Sequence, residues 1–193
     1  MDSAELIIPG LDQEDIGSLQ NTRTFPQYCE MVRKILAGEC MFCELDQKLN
    51  KVVFENDRWR AWRNPYPQEF TAHHWIIAHR EHLTHLRDVT SADGRDLFEI
   101  LSRLAEPKEI YGGGVLMRFG NPLLNAGSVR HLHVNLMVPD GAGEVRVPLC
   151  KTPEEIAAKM NVIRVFEKMR QGTPFEELNL VEQVLVRDRL EAR

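Results

Sequence analysis

No stretch of this 193-residue sequence approaches the roughly 18 consecutive apolar residues that a membrane-spanning helix needs. Basic residues are outnumbered, 24 against 29 acidic, for a formal net charge of −5. A general nucleic-acid binder would want the opposite, a basic face that neutralises phosphates. The start, Met1-Asp2-Ser3-Ala4-Glu5, has neither the basic residues nor the apolar core of a signal peptide. A cytoplasmic, reducing location is therefore expected, where four cysteines point to metal binding or burial more than to disulfides. Gly112-Gly113-Gly114 lacks the lysine and the strand-to-helix setting of a phosphate-binding P-loop. There is no low-complexity segment and no convincing second domain, which suits this length.

What the chain does have is concentrated in His131-Leu132-His133-Val134-Asn135-Leu136-Met137-Val138. Polar and apolar residues alternate, the period of a half-buried strand. His131, His133 and Asn135 then share one face at steps of roughly 7 Å, with Leu132, Val134, Leu136 and Val138 on the other. Two imidazoles and an amide on a rigid strand suit phosphate chemistry: a nucleophile flanked by hydrogen-bond donors. Neutral imidazole is a competent nucleophile near pH 7, so His133 can attack phosphorus to give a phosphoramidate. Asn135, Ser128 and the Gly127-Ser128 backbone amides are the nearby donors for the phosphate oxygens.

Around this strand the sequence reads as α+β. Residues 1–22 form an arm, 23–150 the main domain and 151–193 a helical extension. A helix follows Pro26, carrying Tyr28, Met31, Val32, Ile35 and Leu36, with Gly38 to close it. Strand-like runs cover Lys51 to Glu55, Trp59 to Arg63, His74 to Ala78 and Val115 to Phe119, with a turn at Asn64-Pro65-Tyr66-Pro67. Thr90-Ser91-Ala92-Asp93 and Thr152-Pro153-Glu154-Glu155 carry helix-start signals, and Thr173-Pro174-Phe175-Glu176 repeats the second pattern. Leu178, Val181 and Leu185 then read as a core-facing stripe, and Cys29 and Cys150 as buried thiols. Trp59 and Trp62 read as core; His73, His74, His79 and His85 read as surface or partly buried residues.

Cys40-Met41-Phe42-Cys43 has the spacing of two ligands of tetrahedral zinc, with histidines available for the other two positions. A reduced pair without metal is the alternative.

The segment Asn125-Ala126-Gly127-Ser128-Val129-Arg130-His131-Leu132-His133-Val134-Asn135 resembles the signature of the histidine triad (HIT) superfamily. That signature is a Gly-containing loop, Ser or Thr, and His-x-His-x-His followed by apolar residues. Asn64-x-x-Pro67 resembles the family's Asp-x-x-Pro turn, and His82-x-x-x-Leu86 its His-x-x-x-Leu; the likeness spans about residues 40–139. It implies an α+β, HIT-like antiparallel sheet, commonly dimeric, that binds nucleotides and transfers or hydrolyses nucleoside monophosphate groups. It implies His133 as nucleophile, Asn135 and Ser128 as catalytic partners, and Asn64, Asn121, Gly127 and Ser128 as nucleotide contacts. Zinc-containing members imply a structural zinc on Cys40, Cys43, His82 and His131, with His79 or His85 as alternatives to His82.

The chain departs from the pattern at Asn135, where a HIT hydrolase has His and the uridylyltransferase branch has Gln. An amide donates a hydrogen bond but supplies no acidic proton. Three readings follow. The first is a hydrolase or nucleotidyltransferase acting on a dinucleoside polyphosphate, nucleotide sugar or phosphoramidate. The others are a nucleotide-binding module without turnover and a zinc-stabilised interaction domain whose carboxyl-terminal helices dock a partner. No nucleic-acid or membrane partner is expected; a homodimer is implied by the resemblance alone.

Overall fold

The computed structural model describes residues 17–107 and 109–191; most of the expected arm, residues 1–16, lies outside the described residues. Five strands, β1 (Val52–Glu55), β2 (Trp59–Arg63), β3 (Thr71–His79), β4 (Gly114–Arg118) and β5 (His133–Pro139), form one antiparallel sheet in the order β1-β2-β3-β5-β4. With a helix packed on one face of the sheet and a separate helical core beside it, this is the expected α+β class. Among the described residues no helix is long and apolar enough to cross a membrane.

One face of the sheet is apolar because alternate residues of three strands converge there. Trp59 and Ala61 of β2, Trp75 and Ile77 of β3, and Val134, Leu136 and Val138 of β5 pack with Leu132 under Leu97, Ile100 and Leu104. Those last three lie on α2 (Ser91–Leu104). The helix starts where the sequence signals it. The Thr90 side chain accepts from the Asp93 amide, and the Asp93 carboxylate accepts from the Thr90 amide at 2.7 Å. Asp93 also accepts from Arg58 at 2.7 Å and His79 Nε2 at 3.1 Å, while its carbonyl accepts from the Trp59 indole at 2.8 Å. Burial opposes its charge, but these donors hold the carboxyl well below the usual range.

The opposite face carries the polar residues. Antiparallel register sets Arg118 of β4 and Ala78 of β3 directly beside His133, and Ile76 beside Asn135. A second apolar core lies away from the sheet. Here Tyr28, Met31, Val32 and Ile35 of α1 (Phe25–Leu36) meet Val162, Ile163, Val165 and Phe166 of α4 (Pro153–Arg170). Leu19, Leu178 and Val186 complete it. Its one fully buried carboxylate, Glu167, accepts from the Tyr28 hydroxyl at 2.6 Å and from Arg170 and Gln171. The short α3 (Pro122–Asn125) leads from β4 toward the loop before β5.

Three expectations are corrected. Thr173-Pro174 starts only a 3-10 turn, Phe175–Glu177. The last helix, α5 (Leu180–Val186), begins instead at Asn179, whose side chain accepts from the Glu182 amide at 3.0 Å while Glu182 accepts from the Asn179 amide. This second capping box takes the helix start because burial of Leu178 fixes the chain just ahead of it. In that frame Val181 points to solvent, 71% exposed, so the expected stripe is interrupted. Cys150 is exposed and Cys29 half-buried, neither a fully buried thiol.

Because Asp93 serves a helix cap and two buried or half-buried donors at once, Asp93→Ala should destabilise the fold by about 3 kcal/mol. Urea unfolding monitored by tryptophan fluorescence measures this; a loss under about 1 kcal/mol would mean the network contributes no more than an ordinary cap.

Candidate active site and metal centre

The polar site is built around the hydrogen bonds of His133, the first residue of β5, and of His131, two residues ahead of the strand. His133 is 6% exposed, and its Nδ1–H donates to the His131 carbonyl at 2.6 Å. The proton is thereby placed on Nδ1 and the lone pair on Nε2. Burial holds the imidazole down at about 4, so at neutral pH it is uncharged and nucleophilic.

Asn135 is 8% exposed. Its Oδ1 lies 2.9 Å from His74 Nε2. His74 Nδ1 accepts from the Gln68 amide at 3.0 Å, which leaves the ring proton on Nε2 to donate to Asn135. The amide is therefore turned so that Nδ2 is the free end, and this buried donor has no partner. His74 was expected at or near the surface. It is 5% exposed, and its function is to orient Asn135. Sequence pattern hides it because β3 is central and covered on both faces, so polar and apolar residues do not alternate along Trp75-Ile76-Ile77-Ala78.

Cys40, Cys43, His82 and His131 come together, with their ligand atoms all within 4.8 Å of one another. Cys40 Sγ is 3.4 Å from His131 Nδ1, and Cys43 Sγ is 3.6 Å from the same atom and 3.3 Å from His82 Nδ1. Zn–S and Zn–N bonds of about 2.3 and 2.0 Å at a tetrahedral angle require S···N separations of about 3.5 Å. The donor set thus fits zinc. His131 is fixed for it, since Nε2 donates to the His79 carbonyl at 2.7 Å and presents Nδ1 to the sulfurs. Burial and the adjacent Cys40 push the Cys43 thiol up to about 12, so a thiolate there needs a nearby cation. Of the three histidines weighed for the fourth place, only His82 joins the cluster. His79 turns its ring to Asp93, and the His85 ring packs beside Gly120.

The cysteine turn also reaches His133. Phe42, between the two cysteines, sets its ring edge-on to His131, His133 and Trp62, with centroids 5.8, 5.1 and 5.3 Å apart. Arg60 holds the turn by donating to the carbonyls of Phe42 and Cys43.

His133, Asn135 and His74 line a cleft of about 170 Å³, which Asn64, Gly127 and Ser128 also border. The Asn64 Oδ1 accepts from the Tyr66 amide at 2.9 Å, closing the turn expected there. The Gly127 amide, expected as a phosphate donor, is already donated to Asn125 Oδ1 at 2.7 Å. A Cβ at Gly127 would lie 2.8 Å from that oxygen, so the tight loop itself requires glycine. Ser128 Oγ accepts weakly from Gln27 at 3.4 Å. Asn121 is exposed and outside the cleft wall, its carbonyl accepting from the Leu124 and Asn125 amides of α3.

Four cations stand at this cleft: Arg118, which the sequence offers with Arg130 to neutralise a polyphosphate, and Arg23, Lys151 and Lys159, which no sequence signal marks. Burial lowers the pKa of each, Arg23 to about 10 and Lys159 to about 8. They come from four separate parts of the chain, and no local spacing marks them.

No protein-family profile matches the chain, and neither does any curated protein. Among solved structures it is similar to a HIT family hydrolase from Legionella pneumophila, at 28% identity over 57% of this chain and 98% of that one, TM-score 0.42. A HIT family hydrolase from Clostridium thermocellum is similar at 23% identity, over 54% and 94%, TM-score 0.43. A zinc-bound histidine triad protein from Mycobacterium smegmatis is similar at 16%, over 63% and 86%, TM-score 0.39.

Purified protein should carry one zinc per chain by elemental mass spectrometry, and Cys40→Ala should lose it together with several degrees of melting temperature. His133→Ala should keep the metal; equal zinc loss in both variants would dissolve the separation of metal ligands from nucleophile.

Proposed function

We propose that this chain is a histidine triad-type enzyme acting at the α-phosphate of a nucleoside 5′-phosphate derivative. The derivative would be a dinucleoside polyphosphate, a nucleotide sugar or a phosphoramidate. The observation that carries the reading is the pairing in one cleft of His133, its proton fixed on Nδ1, with a buried, unpartnered Asn135 amide.

In the first step the His133 Nε2 lone pair bonds to phosphorus as the bond to the leaving group breaks, and the leaving atom takes that electron pair. Proton loss from nitrogen is not required, because the bond forms at an unprotonated nitrogen. Asn135 Nδ2 donates to a non-bridging oxygen, with Ser128 and the Arg118 guanidinium nearby to balance its charge. In the second step water, or a second phosphate, attacks the same phosphorus and the N–P bond returns its pair to His133. Asn64 borders the side of the cleft where the resemblance puts the ribose. Zinc, when bound, supplies rigidity: Cys40, Cys43, His82 and His131 would hold it, and all four positions would be filled by protein.

The same reading takes nucleotide as the partner the site requires. A homodimer rests on the family resemblance, and a cytoplasmic location is part of the same proposal. One observation favours a second reading, nucleotide binding without turnover: the third triad position is an amide that cannot act as an acid.

Incubation with nucleotides of all four bases, a quench that avoids acid, and intact mass measurement should reveal one nucleoside monophosphate on the wild type. The His133→Ala variant should show none. Asn135→Ala should lower kcat about 10²- to 10³-fold. Binding of a nucleoside monophosphate with neither adduct nor product would favour the second reading.

A further inference from the structure

The loop that carries Ser128 is held from outside the span that resembles the HIT signature. Two peptide units flank this serine, and residues 17–21 hold them both. Asn21, the last residue of a 3-10 turn (Leu19–Asn21), donates from Nδ2 to the Gly127 carbonyl at 2.8 Å and to the Pro122 carbonyl at 3.3 Å. The Ser18 amide donates to the Ser128 carbonyl at 2.8 Å. Gly17 pairs with Val129 so closely that a Cβ on the glycine would lie 2.5 Å from the Ser128 oxygen. A trans peptide is planar, so a carbonyl fixed on one side fixes the N–H of the next residue on the other. The Ser128 and Val129 amides are therefore aimed by the amino-terminal turn.

The loop needs such support. Ala126 holds φ of +52°, a left-handed conformation that disfavours any residue with a Cβ and lasts where its surroundings over-determine it. On the sheet side Arg118 donates to the Asn125 carbonyl, and Asn125 Nδ2 donates to the Phe119 carbonyl at 2.7 Å. On the helical side stand the bonds of Asn21 and Ser18, with the longer contact from Gln27 to Ser128 Oγ at 3.4 Å beside them.

Asn21 is buried, and both ends of its amide are used. While Nδ2 serves the two carbonyls, Oδ1 accepts from Nζ of Lys151, which stands just ahead of α4. The two acceptors and the ammonium donor decide which end is which. One planar group thus spaces a cleft cation from the peptide before Ser128. Because its oxygen is uncharged, it places the ammonium without cancelling the charge.

We propose that Asn21 is a positioning residue: it sets the Gly127–Ser128 peptide, and with it the Ser128 hydroxyl, against the phosphoryl group attacked by His133. It acts through the loop and not on the phosphorus. This rests on the function proposed above. The residue type follows from the bonds required, two donors and an acceptor on one short side chain. Aspartate would keep Lys151 but turn an oxygen toward the Gly127 carbonyl oxygen. Alanine would leave the ammonium and both carbonyls without this partner.

The test combines hydrogen exchange with kinetics on the zinc-loaded full chain. A dinucleoside tetraphosphate, a nucleotide sugar and a nucleoside phosphoramidate are each tried, and the one that the wild type turns over fastest is used. Asn21→Ala should lower kcat about tenfold or more and leave KM within about threefold. Without substrate, amides of residues 120–130 should exchange about tenfold faster in Asn21→Ala and in Asn21→Asp, while α1 and α4 exchange as in the wild type. Wild-type exchange in Asn21→Asp would overturn the proposal, because the loop would then be held without the two donated bonds. A rise in KM at unchanged kcat would overturn it by making Asn21 a substrate contact. Exchange raised equally in α1, α4 and the loop would overturn it by making Asn21 a packing residue. These three outcomes leave the nucleotidyl-His133 step intact. Failure of every substrate to label wild-type His133 would instead overturn the function proposed above and this role with it.

Discussion

The site hangs on three bonds made by one residue. His131 faces the cysteines with Nδ1, donates from Nε2 to the His79 carbonyl, and accepts the His133 Nδ1 proton on its own carbonyl. Metal side, sheet backbone and nucleophile therefore share one rigid peptide unit. The tautomer of each ring is set by a backbone carbonyl, that of His79 at the end of β3 and that of His131 just ahead of β5. A carbonyl acceptor also differs from a carboxylate: it fixes the proton without adding charge, which leaves the His133 ring neutral in its buried setting.

The sheet places these groups by simple arithmetic. Alternation along β5 puts His133 and Asn135 on one face and Val134 and Leu136 on the core beneath α2. Antiparallel register then sets Arg118 on one side of His133 and Ala78 on the other. A small residue at 78 leaves space over the imidazole, while the arginine brings charge to it.

Much of this could be read from the residues in order. The alternating histidines, the Cys-x-x-Cys turn and the capping signals at Thr90 and Thr152 are all local, with physical causes that act within a few residues. The Thr173-Pro174 signal failed for the same kind of reason, because Asn179 and Glu182 offered a complete box six residues on. His74 and three of the cleft cations, Arg23, Lys151 and Lys159, were not legible. Arg23, Arg118, Lys151 and Lys159 become neighbours only when α1 and α4 pack together and present one wall to the sheet. The sequence alone does not reveal that pairing, since the two helices are far apart in the chain and α4, unlike α1, segregates its apolar residues only weakly to one face.

That packing divides labour within the molecule. His133 and Asn135 are rooted in the sheet, whereas Gln27 and Lys159 stand on α1 and α4, and Arg23, just ahead of α1, reaches across to the Tyr66 and Pro67 carbonyls. The cleft is the seam between two separately packed bodies. A change in the packing of α1 on α4 would shift one wall relative to the other by fractions of an ångström and leave β5 undisturbed. The shape of the cleft can therefore be retuned by apolar substitutions among Tyr28, Met31, Ile163 and Phe166, residues that do not line it. In such an architecture the outer wall is free to drift while His133 stays fixed.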